Sequence, residues 1–398
     1  MPVRRLLPRL LALALLCALS GVPPTRAQPQ SVHLALGNPS GAVTDANQPS
    51  NYLLVRDQYA VGYIRDDGIP RWVSWRLVAA DLGPTPRYSG NFFRDASLPA
   101  GWYHVVHANY TNSGYDRGHM VSSEDRTATV ADNESSFILT NVLPQAPRNN
   151  RGPWLRLEET GRDLAEQGDE VYVIAGPEGE LARLAAGALR VPASTWKALL
   201  AVPPGPGDPV NRVTTATRLI AIRIPNDKDD QAVQQSDPWQ DYRTTSDAIE
   251  AATGLDLLSA LPSTVQRVLE GRADVGALPY TLMISGTATL STTVGAAFPA
   301  PLTVRVTGAS GEPVPGIPVT FAALGLGANA TVASDVVTIV TTDTNGVAAI
   351  TPLANATTGA YRLEASIAGV FEPAVFTLAN VSAAVPPRSM LYLPLLRR

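Results

Sequence analysis

Near residue 281 the chain changes character, and that change sets its architecture before any motif is read. From 281 to 380 it is rich in Thr, Ala, Val and Gly, holds few charges and has no lysine. Short runs such as Leu302-Thr303-Val304-Arg305-Val306, Val319-Thr320-Phe321 and Tyr361-Arg362-Leu363-Glu364-Ala365 stand between turn residues, the pattern of a β-sandwich. The longer region before it mixes strand-like and helix-like segments. The sequence therefore predicts an α+β domain with an antiparallel sheet and flanking helices, followed by an all-β sandwich.

The first region concentrates its chemistry between Tyr115 and Arg162. In Tyr115-Asp116-Arg117-Gly118-His119-Met120 one short segment holds a titratable base, a fixed cation and a carboxylate. An imidazole, with an ordinary pKa of ~6.5, is the natural general base for water at neutral pH. Arg117 offers a planar fork of donors to phosphate oxygens, and Gly118 lets backbone approach a ligand. Further on, Asn141, Asn149 and Asn150 offer amide oxygens and Glu158 a carboxylate, the hard donors that Mg²⁺ prefers. Trp154, Leu155, Leu157 and Leu164 fit an amphipathic helix over 152–167, with Asn150 just before its start and Glu158 and Arg162 on one face. A helix start there also suits a phosphate. Each element has a structural reading too. Asp116 to His119 fit an exposed turn, the asparagines are turn formers, and Glu158 with Arg162 is an ordinary surface ion pair. Composition alone would make Asp116 or Glu158 the metal ligand.

The conjunction resembles a known family. Ser113-Gly114-Tyr115-Asp116-Arg117-Gly118-His119-Met120, then Phe137-Ile138-Leu139-Thr140-Asn141, Pro144-Gln145, Asn150, Gly152, Trp154, Leu157-Glu158 and Arg162 are similar to the DNA/RNA non-specific endonucleases. These include endonuclease G and belong to the His-Me finger nucleases. The resemblance covers roughly 32–270. It implies His119 as general base, Asn150 as the single protein ligand of Mg²⁺ (with Mn²⁺ or another divalent cation as substitutes), and Glu158 and Asn141 as residues that orient the metal's waters and the histidine's surroundings. It places Arg117 and Arg162 near the scissile phosphate and leaves the role of Asp116 open. It implies DNA and RNA as substrates, held through the phosphate backbone. Ser122 stands where the family often has proline, a matter of loop geometry.

The rest of the chain frames this centre. Residues 1–27 read as an export signal: Arg4, Arg5 and Arg9 precede a ten-residue apolar run too short to span a bilayer, and Ala27 closes the segment. Their removal takes away the single cysteine, Cys17, and four arginines, so the formal charge of −4 becomes about −8. The expected location is secreted or cell-surface. An acidic protein that binds a polyanion needs a locally positive groove, which Arg117, Arg148, Arg151, Arg156 and Arg162 could form. Segments 51–54, 58–63 and 71–77 read as strands, as do 170–177 and 218–225, and 246–253 as a closing helix stopped by Gly254. His104 and His107, if on a strand, face opposite ways and make a poor zinc pair. Asn226-Asp227-Lys228-Asp229-Asp230 reads as a solvated loop.

The expected divisions are a signal at 1–27, the nuclease-like domain at 28–270, a linker at 271–283, the sandwich at 284–381 and a tail at 382–398. The strings 311–321 and 342–348 are similar to bacterial immunoglobulin-like domains of the invasin and intimin type. That resemblance implies a spacer, or contact with a cell surface or matrix. Asp343 and Asn345 beside Gly346 read as a hairpin turn. Two other classes of protein would share much of this sequence: a surface adhesin with an inactive nuclease-like domain, and a metal-dependent phosphodiesterase for small molecules. The presence of His119, Asn150, Glu158 and Arg117 together argues against the first.

Overall fold

Eleven strands organise the first region. In the computed structural model, which describes residues 31–383, they are β1 (Tyr52–Val55), β2 (Ala60–Ile64), β3 (Ile69–Leu77), the ribbon β4 (Asp116–His119) and β5 (Val142–Gln145), β6 (Glu170–Glu178), the small hairpin β7 (Ala182–Leu184) and β8 (Leu189–Val191), β9 (Ser194–Val202), β10 (Arg218–Pro225) and β11 (Arg243–Thr244). Seven of them form an antiparallel sheet in the order β1-β2-β3-β6-β9-β10-β11. The expected export signal with Cys17, and all but the first two residues of the expected tail, lie outside the described residues.

Alternation along the strands gives the sheet two cores. Val73, Trp75 and Leu77 of β3 and Leu199 of β9 face one side, packing with Met120, Val142, Leu143, Trp154 and Leu157. Trp72, Trp196, Ala198 and Leu200 face the other, packing with Ile249, Leu258, Val265 and Leu269. The sheet thus separates the motif-bearing ribbon and its helix from the two helices that close the region, α4 (Ser246–Thr253) and α5 (Ser263–Glu270). α4 ends as expected: Gly254 takes the left-handed conformation and its N–H donates to the Glu250 carbonyl at 2.8 Å.

The segment with His104 and His107 holds no strand; His107 opens the 3₁₀ turn His107–Tyr110. One expectation needs correction. The motif helix starts earlier than its periodicity showed. After α1 (Val130–Ser135), α2 (Pro147–Asn149) begins with proline in its first turn and runs through a wide turn, Asn150–Trp154, into α3 (Leu155–Glu166). Asn150 therefore sits inside the helical path. Gly152 has non-helical φ/ψ of −116° and −116°, and a Cβ there would stand 2.9 Å from the Gln235 backbone.

The second region has its own core. Strands β12 (Thr281–Ile284), β13 (Thr289–Thr293), β14 (Leu302–Thr307), β15 (Pro318–Ala323), β16 (Ala330–Thr331), β17 (Val337–Thr341), β18 (Val347–Ile350), β19 (Leu353–Ala354), β20 (Gly359–Ser366) and β21 (Ala374–Val381) follow. The larger sheets, β12-β14-β18 and β13-β21-β20-β15-β17, enclose Val304, Val306, Phe321, Leu363, Phe376 and Leu378 as a β-sandwich. β12 starts at Thr281, inside the stretch expected as linker. The turn at Asp343 closes as expected, its Oδ1 accepting from the N–H groups of Asn345 at 2.8 Å and Val347 at 2.9 Å. The two regions touch: buried Glu364 accepts from Thr215 N and Oγ1 at 2.9 and 3.0 Å, and Arg267 of α5 pairs with Asp335 at 2.8 Å.

Candidate active site

The site is built on the β4–β5 ribbon and the helix that follows it. Asp116 pairs with Gln145 and His119 with Val142 across the ribbon, so Arg117 and His119 share one face and Asp116 and Gly118 the other. A Cβ on Gly118 would lie 2.2 Å from Gln145 Oε1, which makes glycine a steric requirement here. Gln145 is fully buried; its Nε2 donates to Asn149 Oδ1 at 3.0 Å, while its Oε1 has no donor.

His119 is held in an aromatic box. The ring centroids of Phe92 and Phe137 each lie 4.9 Å from its imidazole. The Arg87 guanidinium stacks over Phe137 at 5.0 Å. Burial, with Arg87 as the second cause, pushes the imidazolium pKa down to about 3. The ring is therefore neutral at pH 7, and its Nε2 has no hydrogen-bond partner among the described residues.

Behind His119, Asn141 acts as a brace. Its Nδ2 donates to the carbonyls of Val121 at 3.0 Å and Ser136 at 2.8 Å, its Oδ1 accepts from Val121 N at 2.9 Å, and its own carbonyl accepts from Met120 N at 2.9 Å. A fully buried amide so engaged touches backbone only, and positions the segment after His119. Asn141→Ala leaves these groups unpaired and is expected to destabilise the protein by about 3 kcal/mol. Urea denaturation checks it; a loss under about 1 kcal/mol contradicts the bracing role.

Asp116 gains a defined part. Its Oδ2 accepts from Asn150 Nδ2 at 2.9 Å and Arg151 Nε at 2.8 Å, and its Oδ1 from Arg151 Nη2 at 2.6 Å. Both carboxylate oxygens are engaged, and Asn150 is fixed through its nitrogen, with no donor to its Oδ1 among the described residues. Glu158, the other carboxylate that composition favours as a ligand, is buried and accepts from Lys197 Nζ at 3.0 Å. That ammonium lies 3.9 Å from the Trp154 ring centroid and 5.8 Å from Trp75. Burial raises the Glu158 carboxyl and lowers the Lys197 ammonium, each opposed by the other's charge. Arg162 donates to Asp125 Oδ1 at 2.9 Å, and its charge also acts on Glu158.

The expected cationic residues are mostly tied to protein. Arg117 donates to the His107 carbonyl at 2.8 Å and lies 5.6 Å from the Tyr110 ring. Arg148 and Arg156 hold carbonyls of Asp230 and Gln235 at 3.2 and 2.7 Å. Arg87, exposed and with no hydrogen bond, stands beside the imidazole and was invisible as a site residue in sequence because it lies in an aperiodic stretch. Lys197 was also missed as a site residue. Its signal is a lysine inside the apolar run 194–202, in a chain with only one other lysine, Lys228. Asn226, read as part of a solvated loop, is fully buried and locks the β5–α2 corner through Ala146 N at 2.8 Å and the Pro144 carbonyl at 3.0 Å.

The donor set fits a hard divalent cation. Asn150, held through its nitrogen by the Asp116 carboxylate, presents a hard amide oxygen of the kind such a cation prefers.

The family model described as DNA/RNA non-specific endonuclease matches residues 36–264. A nuclease of Nostoc sp. is 44% identical over 257 residues, covering 64% of this chain and 91% of that protein. A nuclease of Syncephalastrum racemosum is 32% identical over 236 residues, covering 56% and 69%. A nuclease of Serratia marcescens is 28% identical over 252 residues, covering 61% and 85%. A chain in the crystal structure of the EndoG/EndoGI complex aligns with a TM-score of 0.49 at 21% identity, over 58% of this chain and 92% of that one.

Proposed function

Because the chain belongs to the DNA/RNA non-specific endonuclease family, we propose that its ribbon-and-helix site hydrolyses DNA and RNA with His119 as general base and Asn150 as the protein ligand of Mg²⁺. The observation that carries this reading is the imidazole of His119, boxed by Phe92 and Phe137, with its Nε2 left without a partner among the described residues. His119 takes a proton from water as the water oxygen bonds to phosphorus and the bond to the leaving oxygen breaks. Arg87, with Arg117 and Arg162 around the ribbon, steadies phosphate oxygens whose charge grows in the transition state. Asn150, fixed by Asp116, would hold the cation, which when bound supplies Lewis-acid stabilisation of the phosphate's charge. Glu158, anchored by Lys197, and Asn141 keep the helix and the histidine segment in place.

Recognition through backbone phosphates carries little base information and weakens as salt rises. We further propose export through 1–27; among the described residues no helix is long and apolar enough to cross a membrane. The sandwich would serve as an immunoglobulin-like spacer or surface contact.

Titration of Mg²⁺ or Mn²⁺ into the chelator-treated chain, with plasmid as substrate, tests the reading. Wild type is expected to be silent with chelator, and Asn150→Ala to need about 100-fold more Mg²⁺ for half-maximal rate. Cleavage that persists in chelator, or an unchanged Mg²⁺ requirement in Asn150→Ala, would overturn it.

A further inference from the structure

A second group of oxygen ligands lies on the opposite side of the seven-stranded sheet. Asp247 and Glu250 stand on α4 and Glu270 ends α5, and one carboxylate oxygen from each lies within 4.8 Å of the others. α4 and α5 pack on the sheet through Ile249, Val265 and Leu269, whereas Trp154 and Leu157 of the nuclease helix pack on the other face. The group therefore has no part in the nuclease site.

Its most informative member is Glu270. The residue is 4% exposed, yet its Oε1 has no hydrogen-bond donor. A buried carboxylate oxygen left without a donor is strongly disfavoured. The charges acting most strongly on Glu270 are Glu250, Asp256 and Asp247, all of its own sign. Glu250 accepts from Leu257 N at 2.7 Å through Oε1 and also shares a side-chain hydrogen bond with Glu270, so the two carboxyls need either a proton or a cation between them. Gly271 adjoins the cluster: a Cβ there would stand 3.1 Å from the Arg267 carbonyl and 3.3 Å from Asp247 Oδ2. Ser246, next in sequence to Asp247, also buries its hydroxyl without a partner.

We propose that Asp247, Glu250 and Glu270 form a divalent-cation site that takes Ca²⁺ and clasps α4 to α5. Three hard oxygen ligands, graded from exposed Asp247 through half-buried Glu250 to buried Glu270, suit a large cation that accepts irregular geometry and completes its shell with water. The cation supplies the positive charge that the like-charged carboxylates lack. It also stiffens the helix whose Arg267 reaches Asp335 in the sandwich. The inference stands whether or not the nuclease reading does.

The test uses the full chain, stripped with chelator, dialysed, and melted at pH 8.5 with increasing CaCl₂. Burial and the Glu250 charge push the Glu270 carboxyl up, so an alkaline pH favours the ionised form that a cation would bind. Millimolar Ca²⁺ is expected to raise the melting temperature by about 5 °C. Glu270→Gln is expected to abolish that rise while melting, without Ca²⁺, no lower than the metal-free wild type, because it removes repulsion. Exposed Asp247→Asn serves as the second variant and shifts the Ca²⁺ midpoint at least about tenfold, one lost ligand's worth of affinity. Asn150→Ala is expected to keep the full response, which separates this site from the nuclease cation. A melting temperature indifferent to Ca²⁺ would overturn the proposal and leave the carboxyls sharing a proton. So would a rise that survives Glu270→Gln, or an unshifted midpoint in Asp247→Asn.

Discussion

Lys197→Met is expected to destabilise the protein by about 3–5 kcal/mol, because it leaves Glu158 as an uncompensated buried charge. The lysine is 1% exposed on β9, and its ammonium reaches Glu158 Oε1 at 3.0 Å between the rings of Trp154 and Trp75. The apolar stem of methionine keeps most of the packing, so the loss reports the charge. Lys197→Met/Glu158→Leu removes both charges and is expected to recover most of the stability without recovering cleavage. Urea denaturation beside a cleavage assay separates the two effects. If the single variant were as stable as wild type, Glu158 would not be ionised in the folded protein, and its role as an anchored carboxylate would fall.

His119→Ala is expected to lower the cleavage rate about 10³-fold at neutral pH, the scale of a lost general base. Its pH dependence carries a sign that can be checked. An imidazole with an ordinary pKa of ~6.5 would halve the rate at that pH and lose it below. Burial and Arg87 hold His119 down to about 3, so the neutral, proton-accepting form persists as pH falls and is lost only near the lowered value. The rate with saturating Mg²⁺ is therefore expected to be nearly the same at pH 7.0 and 5.5. A profile measured from pH 4.5 to 8 that falls by half near 6.5 would show that the aromatic box does not depress the imidazole.

Much of the fold could be read from periodicity. The buried runs 170–177 and 218–225 became β6 and β10, because strands buried on both faces leave unbroken apolar runs, and Leu302 to Val306 falls within β14, whose one buried face leaves an alternating pattern. The start of the motif helix was less legible. Asn149-Asn150-Arg151-Gly152-Pro153 has turn chemistry, and only tertiary packing against Gln235 shows that a wide turn carries the chain through it. Within the site, local sequence could place His119 in a chemical segment but could not supply its neighbours. Phe92 and Arg87 come from an aperiodic stretch about thirty residues upstream, and Lys197 comes from a strand 39 residues past Glu158. The acidic group behaves the same way: Asp247 and Glu250 share one helix, but Glu270 joins them only because α5 folds back.

The most direct test of the central claim is parallel digestion of supercoiled plasmid and of RNA by the full chain and by His119→Ala, each with Mg²⁺ or chelator. The account predicts that wild type cuts both polymers only with metal, and that the variant loses both activities by the same factor. Retention of either activity in His119→Ala, or cleavage of one polymer alone by wild type, would contradict a single site reading the phosphate backbone.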